Sequence, residues 1–193
     1  MALVMHGGRV TGQEPTAWYQ PAVLRVSWLA EALHQRVSGH GVQVWNLRFA
    51  VRGWNGAAAS PLADAQWAIE QIEGRVGRPV VLVGHSMGAR TALRAAGAPQ
   101  VRGAVGLAPW VPEDEPVTQL TDRAVTLVHG TADRVTDPAL TRRYARRLRS
   151  VARSVEHHEI PGAGHAMVRS VRRWDALAAE GVLSALGLSE VRS

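Results

Sequence analysis

The stretch Val80-Val81-Leu82-Val83-Gly84-His85-Ser86-Met87-Gly88-Ala89 constrains the fold more than any other part of the chain. Four consecutive aliphatic residues suit a strand buried on both faces, and such strands belong to parallel sheets covered by helices. Ala89 to Ala96 are helix formers, so the chain must pass from strand to helix within Gly84-x-Ser86-x-Gly88. A turn that sharp lifts residue 86 above the carboxyl end of the sheet, and the flanking glycines avoid collisions with neighbouring backbone. A serine held there stores about 1–3 kcal/mol of backbone strain, which a fold rarely keeps without a use.

The rest of the chain alternates in the same way. Strands are expected at residues 2–6, 42–47, 101–107, 124–129 and 154–160, in addition to the run into Gly84. Helices are expected at 23–37, from Pro61 onward, after Ser86, at 138–148 and at 171–186. In the first helix Leu24, Trp28 and Leu33 are read as lying near one face, and Ser60 as the N-cap of the helix that Pro61 opens. Repeated β-α alternation predicts a three-layer α/β fold with a mostly or wholly parallel sheet of about six strands and helices on both faces. With 193 residues, 46% of them hydrophobic and 20% charged, the expectation is one domain spanning 1–193 with no room for a cap domain.

Composition removes several classes of function. The absence of cysteine excludes disulfides, thiolate metal sites and a cysteine nucleophile. No apolar run approaches the ~20 residues of a membrane span, and the N-terminus lacks a basic segment leading into a hydrophobic one, so a soluble cytoplasmic protein is expected. The net charge of +6 rests on 22 basic residues, all of them arginine, a bias that suggests codon usage more than surface chemistry. In the run Arg142 to Arg149, helical spacing turns Tyr144, Ala145 and Leu148 inward and leaves the arginines solvated. No stacking platform accompanies them, so neither a nucleic-acid nor a membrane partner is expected.

Three further segments carry reactive side chains at element ends: Ala2-Leu3-Val4-Met5-His6-Gly7-Gly8, Val125-Thr126-Leu127-Val128-His129-Gly130-Thr131-Ala132-Asp133, and Ile160-Pro161-Gly162-Ala163-Gly164-His165. With the Gly84–Gly88 turn, and in the order Ser, Asp, His, the chain resembles the α/β-hydrolase superfamily, and within it small lidless dienelactone-hydrolase-like members. The resemblance implies Ser86 as nucleophile, His165 as general base and then acid, and Asp133 as the group that orients the imidazole. It implies the backbone N–H groups of Met87 and Gly8 as oxyanion donors. The chain departs from the superfamily in beginning at the oxyanion strand, without the two strands that usually precede it. It also leaves little more than Ala108 to Arg123 where a lid is often inserted, which implies a shallow, open site.

Rival residues exist for each role. Of eight histidines, His34, His40, His157 and His158 suit solvent-facing or capping positions, His85 suits packing in the turn, and His6 and His129 suit orienting turns; His165 alone follows the final strand in a glycine-rich loop. Asp137 rivals Asp133, but Thr136-Asp137-Pro138 suits a helix N-terminus. On this reading Asp133→Asn removes activity at near-normal stability. Trp18, Trp54 and Trp110 fall in loops beyond the carboxyl ends of strands and are candidate walls of a substrate pocket, and Met87 and Met167, which adjoin Ser86 and His165, are further candidates to line it. Trp28, Trp45, Trp67 and Trp174 fall on helices or a strand and are expected in the core.

The function expected is hydrolysis of a small ester, thioester or lactone through an acyl-enzyme, with a small-molecule substrate and no metal or organic cofactor. An acyltransferase using the same residues, and a non-catalytic binding module on the same scaffold, are the alternatives.

Overall fold

The computed structural model describes residues 1–188, so the last five residues of the expected 1–193 unit lie outside the described residues. Six parallel strands form one sheet: β1 (Ala2–Met5), β2 (Val44–Leu47), β3 (Val80–His85), β4 (Val101–Leu107), β5 (Ala124–Gly130) and β6 (Ser154–Ile160). Their spatial order is β2-β1-β3-β4-β5-β6. Five helices connect or follow them: α1 (Pro21–Val37), α2 (Pro61–Val76), α3 (Met87–Ala95), α4 (Pro138–Leu148) and α5 (Val171–Leu186). Among the described residues no cap domain interrupts the series, and the connection from β4 to β5 contains only the 3₁₀ turn Thr118–Leu120.

The strand period of two divides the core into two layers. Leu3, Met5, Leu82, Val125 and Leu127 face α2, α3 and α4, where they meet Ile69, Ile72, Leu93, Tyr144 and Leu148. Their sequence neighbours Ala2, Val4, Val81, Val83 and Val128 face α1 and α5, where they meet Val26, Leu29, Leu33, Trp174 and Val182. A strand covered on both sides has no polar face, which explains the continuous aliphatic run before Gly84. At one sheet edge, β6 carries Glu156, His157, His158 and Glu159, and charge on an edge strand discourages pairing with another chain.

Helix ends follow the residues available. Asp137 caps α4, its carboxylate accepting from the Ala139 N–H at 2.7 Å, while Pro138 occupies the first turn. Ser60 stands at the expected position before α2 but its hydroxyl accepts from Asn55 Nδ2 at 3.0 Å and does not cap the helix. Two tryptophans depart from the core expectation: Trp28 is 66% and Trp67 58% exposed. The buried stripe of α1 is Val23, Val26, Leu29, Ala30, Leu33 and Val37, so Trp28 falls beside it and not within it. On α2 the stripe is Ala65, Ala68, Ile69 and Ile72, leaving Trp67 outward, whereas Trp174 on α5 is buried as expected. No described helix is long and apolar enough to cross a membrane.

The chain reverses its direction of winding across the sheet between β1 and β3, since β2 lies on one side of β1 and β3 on the other. Ligand crevices in open α/β sheets form outside the carboxyl ends of strands at such a switch point. The loops after β1 and β3 begin there.

Candidate active site

Ser86 occupies the single-residue turn between β3 and α3 with φ 55° and ψ −117°, a conformation unfavourable for any residue with a side chain. Its backbone is secured on both sides: its N–H donates to Leu107 O at 3.0 Å, and its carbonyl accepts from the N–H groups of Ala89 and Arg90 at 3.1 and 3.2 Å. The flanking glycines are required by close approach. A Cβ on Gly84 would lie 2.2 Å from the Gly88 backbone, and one on Gly88 would lie 2.4 Å from Met5 O.

Two more loops converge on this turn. After β5, Asp133 sits in a turn that is sewn to the loop after β6, with the Ala132 N–H donating to Ala163 O at 2.9 Å and the Gly162 N–H to Thr131 Oγ1 at 2.9 Å. Gly130 makes that approach possible, because a Cβ there would meet Ala163 O at 2.2 Å. From the other face of the sheet, Arg25 of α1 donates to the carbonyls of Ala166 and Met167, each at 3.0 Å, and so tethers the chain just after His165. The result places His165 Nε2 3.0 Å from Ser86 Oγ and His165 Nδ1 2.8 Å from Asp133 Oδ2.

The carboxylate of Asp133 is unusually well supplied with donors. Oδ1 accepts from the N–H groups of Val135 and Thr136 at 2.8 and 3.0 Å. Oδ2 accepts from His165, from the Thr136 hydroxyl at 2.9 Å and from His129 Nε2 at 3.1 Å. Burial pushes this carboxyl up, but His129, His165 and the two amides outweigh it and hold Asp133 well below the usual carboxylate range. His129 is wholly buried on β5, and its Nδ1 lies 2.8 Å from Thr141 Oγ1; with Nε2 donating to a carboxylate, Nδ1 is left to accept the threonine hydroxyl.

The remaining histidines have separate duties. His6 Nε2 accepts the Phe49 N–H at 3.0 Å, so Nδ1 carries the proton and donates to Gly7 O at 2.6 Å, which shapes the loop after β1. His85 Nε2 donates to the His165 carbonyl at 2.9 Å, and burial followed by the repulsion of His165 pushes His85 down to about 3. The loop after β1 packs directly on the serine turn: a Cβ on Gly8 would meet the Met87 side chain at 2.3 Å and Arg52 O at 2.5 Å. Among the described residues neither the Gly8 nor the Met87 N–H has a hydrogen-bond partner.

The sequence pattern of the alpha/beta hydrolase family matches residues 2–125, which spans β1, the Ser86 turn and the start of β5. The chain belongs to the α/β-hydrolase family. Solved α/β-hydrolases share its fold at low identity. An α/β serine hydrolase homologue from Coxiella burnetii superposes with a TM-score of 0.70 at 15% identity, over 92% of this chain and 82% of that one. A lidless α/β serine hydrolase from Xanthomonas campestris gives 0.68 at 19% identity, over 95% and 80%. Est1E from Butyrivibrio proteoclasticus, solved with ferulic acid, gives 0.68 at 12% identity, over 96% and 89%. No curated protein sequence matches the chain.

Among the described residues no helix longer than the Thr118–Leu120 turn stands between β4 and β5, and a cluster absent from the sequence reading holds that connection down. Glu115, with its side chain fully buried, meets Arg90 at 2.6 Å and Arg94 at 3.2 Å, both on α3. Burial pushes the Glu115 carboxyl up against the pull of those two arginines. The Arg90 guanidinium carbon lies 4.1 Å from the Trp54 ring centre and 4.6 Å from that of Trp110, and the two rings meet edge to face at 6.0 Å.

The expected pocket walls therefore divide. Trp110 is half-buried beside Ser86, whose carbonyl accepts its N–H at 3.3 Å. Trp54 is 3% exposed and packs Arg90, so it supports the site without lining it. Met167 is fully buried in the layer under α1 and α5 and presents no surface to a cleft. Trp18 is 69% exposed, stacked edge to face on the equally exposed Tyr19 in the loop before α1. Thr136 entered the sequence reading only as the residue before Asp137; the signal for its contact with Asp133 was an Asp-x-x-Thr spacing of the kind that forms side-chain-capped turns.

Proposed function

We propose that this α/β-hydrolase is a serine esterase that cleaves a small ester, thioester or lactone through an acyl-enzyme. One observation carries the reading: a single imidazole bridges a strained serine hydroxyl at 3.0 Å and a buried carboxylate at 2.8 Å. His165 Nε2 takes the Ser86 proton as Oγ bonds to the substrate carbonyl carbon. The Gly8 and Met87 N–H groups, which have no hydrogen-bond partner among the described residues, then receive the negative oxygen; such a donor contributes about 3–4 kcal/mol to the transition state. Collapse breaks the carbonyl carbon–leaving-group bond, and the imidazolium gives its proton to the departing alcohol or thiol. Water, deprotonated by the same imidazole, attacks the acyl-enzyme, and the acid is released as Ser86 regains its proton. Asp133 holds the tautomer throughout and stabilises the imidazolium. Trp110, beside the serine, forms one wall of an open site.

Labelling by an activity-based fluorophosphonate, followed by an ester panel, tests this. Wild type should label at Ser86 and hydrolyse short aryl esters, and Ser86→Ala and His165→Ala should each abolish nearly all turnover, with the double variant little worse than either. Unlabelled Ser86, or normal turnover by Ser86→Ala, refutes the proposal. Transfer of the acyl group to added alcohols or amines in preference to water would mark the protein as an acyltransferase.

A further inference from the structure

A pocket of about 270 Å³ opens between the loops after β1 and β2 and the start of α1, and the two arginines that line it have no ion-pair partner among the described residues. Its wall includes Gly7 and Gly8, and a Cβ on Gly7 would lie 3.3 Å from Ser86 Cβ, so the pocket adjoins the proposed nucleophile. The loops after β1 and β2 form this flank, whereas Asp133 and His165 follow β5 and β6 across the sheet. Arg9 and Arg52 line the pocket and no carboxylate does. Among the described residues neither arginine forms an ion pair.

The arginines are mounted on a braced backbone. The Arg9 N–H donates to Arg52 O at 2.9 Å, and Arg9 O accepts the Trp54 N–H at 2.9 Å, so the two loops pair like short parallel strands. Asn55 clamps the same junction, its Oδ1 accepting the Gly12 N–H at 2.9 Å and its Nδ2 donating to Gly12 O at 3.2 Å. With its carboxamide oxygen turned toward Arg52, Gln20 accepts from Nε at 2.8 Å and Nη2 at 2.9 Å, which fixes the guanidinium plane and leaves Nη1 free. Two like charges lining one pocket without a counter-ion among the described residues favour an anion there, and a guanidinium matches the planar carboxylate in particular.

Position decides which part of a substrate carries that anion. His165 protonates the leaving group, which must lie on the β5–β6 side, so the acyl chain extends toward β1 and β2. Resting on the esterase reading above, we infer that the substrate is an ester whose acyl group ends in a free carboxylate: a monoester of a short dicarboxylic acid, held by Arg9 and Arg52.

Monoethyl succinate and its carboxamide isostere, ethyl succinamate, test the inference. Wild type should favour the carboxylate in kcat/KM by about tenfold or more at low ionic strength, a preference that salt erodes. Arg9→Gln and Arg52→Gln should each move the ratio of the two esters toward one, and Arg9→Glu should invert it. Equal handling of the two esters by wild type, or variants that leave the ratio intact, overturns the subsite. Calorimetric titration of Ser86→Ala with succinate separates this idea from the esterase reading. Succinate binding that Arg52→Gln removes, in a protein that hydrolyses no ester, keeps the subsite and rejects the esterase. Ester turnover without acid preference or succinate binding does the reverse. Inorganic phosphate binding as tightly as succinate would overturn the carboxylate assignment.

Discussion

Replacing Asp133 by asparagine probes the acid end of the bridge, and the donors around the carboxylate set the size of the effect. Two amides meet Oδ1 at 2.8 and 3.0 Å, and His165, Thr136 and His129 meet Oδ2 at 2.8, 2.9 and 3.1 Å. A carboxamide has one oxygen and one NH₂, so in either orientation at least two of these donors face another donor. Each hydrogen bond to a charged acceptor contributes about 1.5–3 kcal/mol, and losses within one cluster do not add. With this many donors, Asp133→Asn is expected to cost about 3 kcal/mol of stability, more than the near-normal stability expected from the sequence alone. If the NH₂ turns to His165, Nδ1 becomes an acceptor and the proton moves to Nε2, facing Ser86; that tautomer cannot accept the serine proton, and a loss of about 10⁴ in kcat is expected. Acid should reveal the same carboxylate. Because its folded pKa is depressed, Asp133 stabilises the fold fully above the unfolded carboxylate value near 3.9, and the contribution is lost as pH falls below it. Urea unfolding of wild type should steepen in its pH dependence below about pH 4, and that of Asp133→Asn should not. A variant that unfolds with wild type, or retains 4-nitrophenyl acetate turnover within tenfold, refutes the reasoning.

Four other substitutions or conditions have defined outcomes. Gly8→Ala forces a methyl group to within 2.5 Å of Arg52 O, a backbone atom that cannot step aside, so kcat should fall at least about 100-fold while fluorophosphonate still reaches Ser86. His85, pushed down to about 3, binds fewer protons folded than unfolded between that value and about pH 6.5, so acid weakens the fold there. Between pH 7 and 5, wild type should lose about 2 kcal/mol more unfolding free energy than His85→Gln. Asp137→Asn should cost at most about 1 kcal/mol and little activity, because asparagine also caps helices; a large loss of kcat would transfer the acid role to Asp137. Across aryl esters from acetate to palmitate, kcat/KM should stop rising at about four carbons, since each further CH₂ gains its ~0.8 kcal/mol only against an apolar wall. A steady rise to palmitate contradicts the open cleft.

Strand and helix positions were legible because each element is a local period ended by local punctuation. The aliphatic run before Gly84, and Pro61 and Pro138 in first turns, are visible without a neighbour in space. Asp137 as a cap was legible for the same reason: its partner, Ala139, is two residues away. The inward face of α1 was not. A stripe through Leu24 and Trp28 lies next to the one through Val23 and Val26 on the helix surface, and the choice depends on which side the sheet lies.

Residue type and spacing along the chain specify the six-stranded, helix-covered sheet, the strained serine turn and the order of Ser86, Asp133 and His165. Tertiary structure alone decided what surrounds them. His129 and Thr136 crowd the Asp133 carboxylate, Arg25 tethers the His165 loop from α1, and Glu115 pairs with Arg94 and with Arg90, which lies against Trp54 and Trp110. Trp54 and Met167 became packing and not cleft for the same reason, and Arg9 and Arg52 became neighbours through a pairing of two loops. Many of these contacts join residues tens of positions apart, and their hydrogen bonds and ion pairs act over roughly 3 Å. The chain sets that proximity only once the sheet has brought its carboxyl ends together.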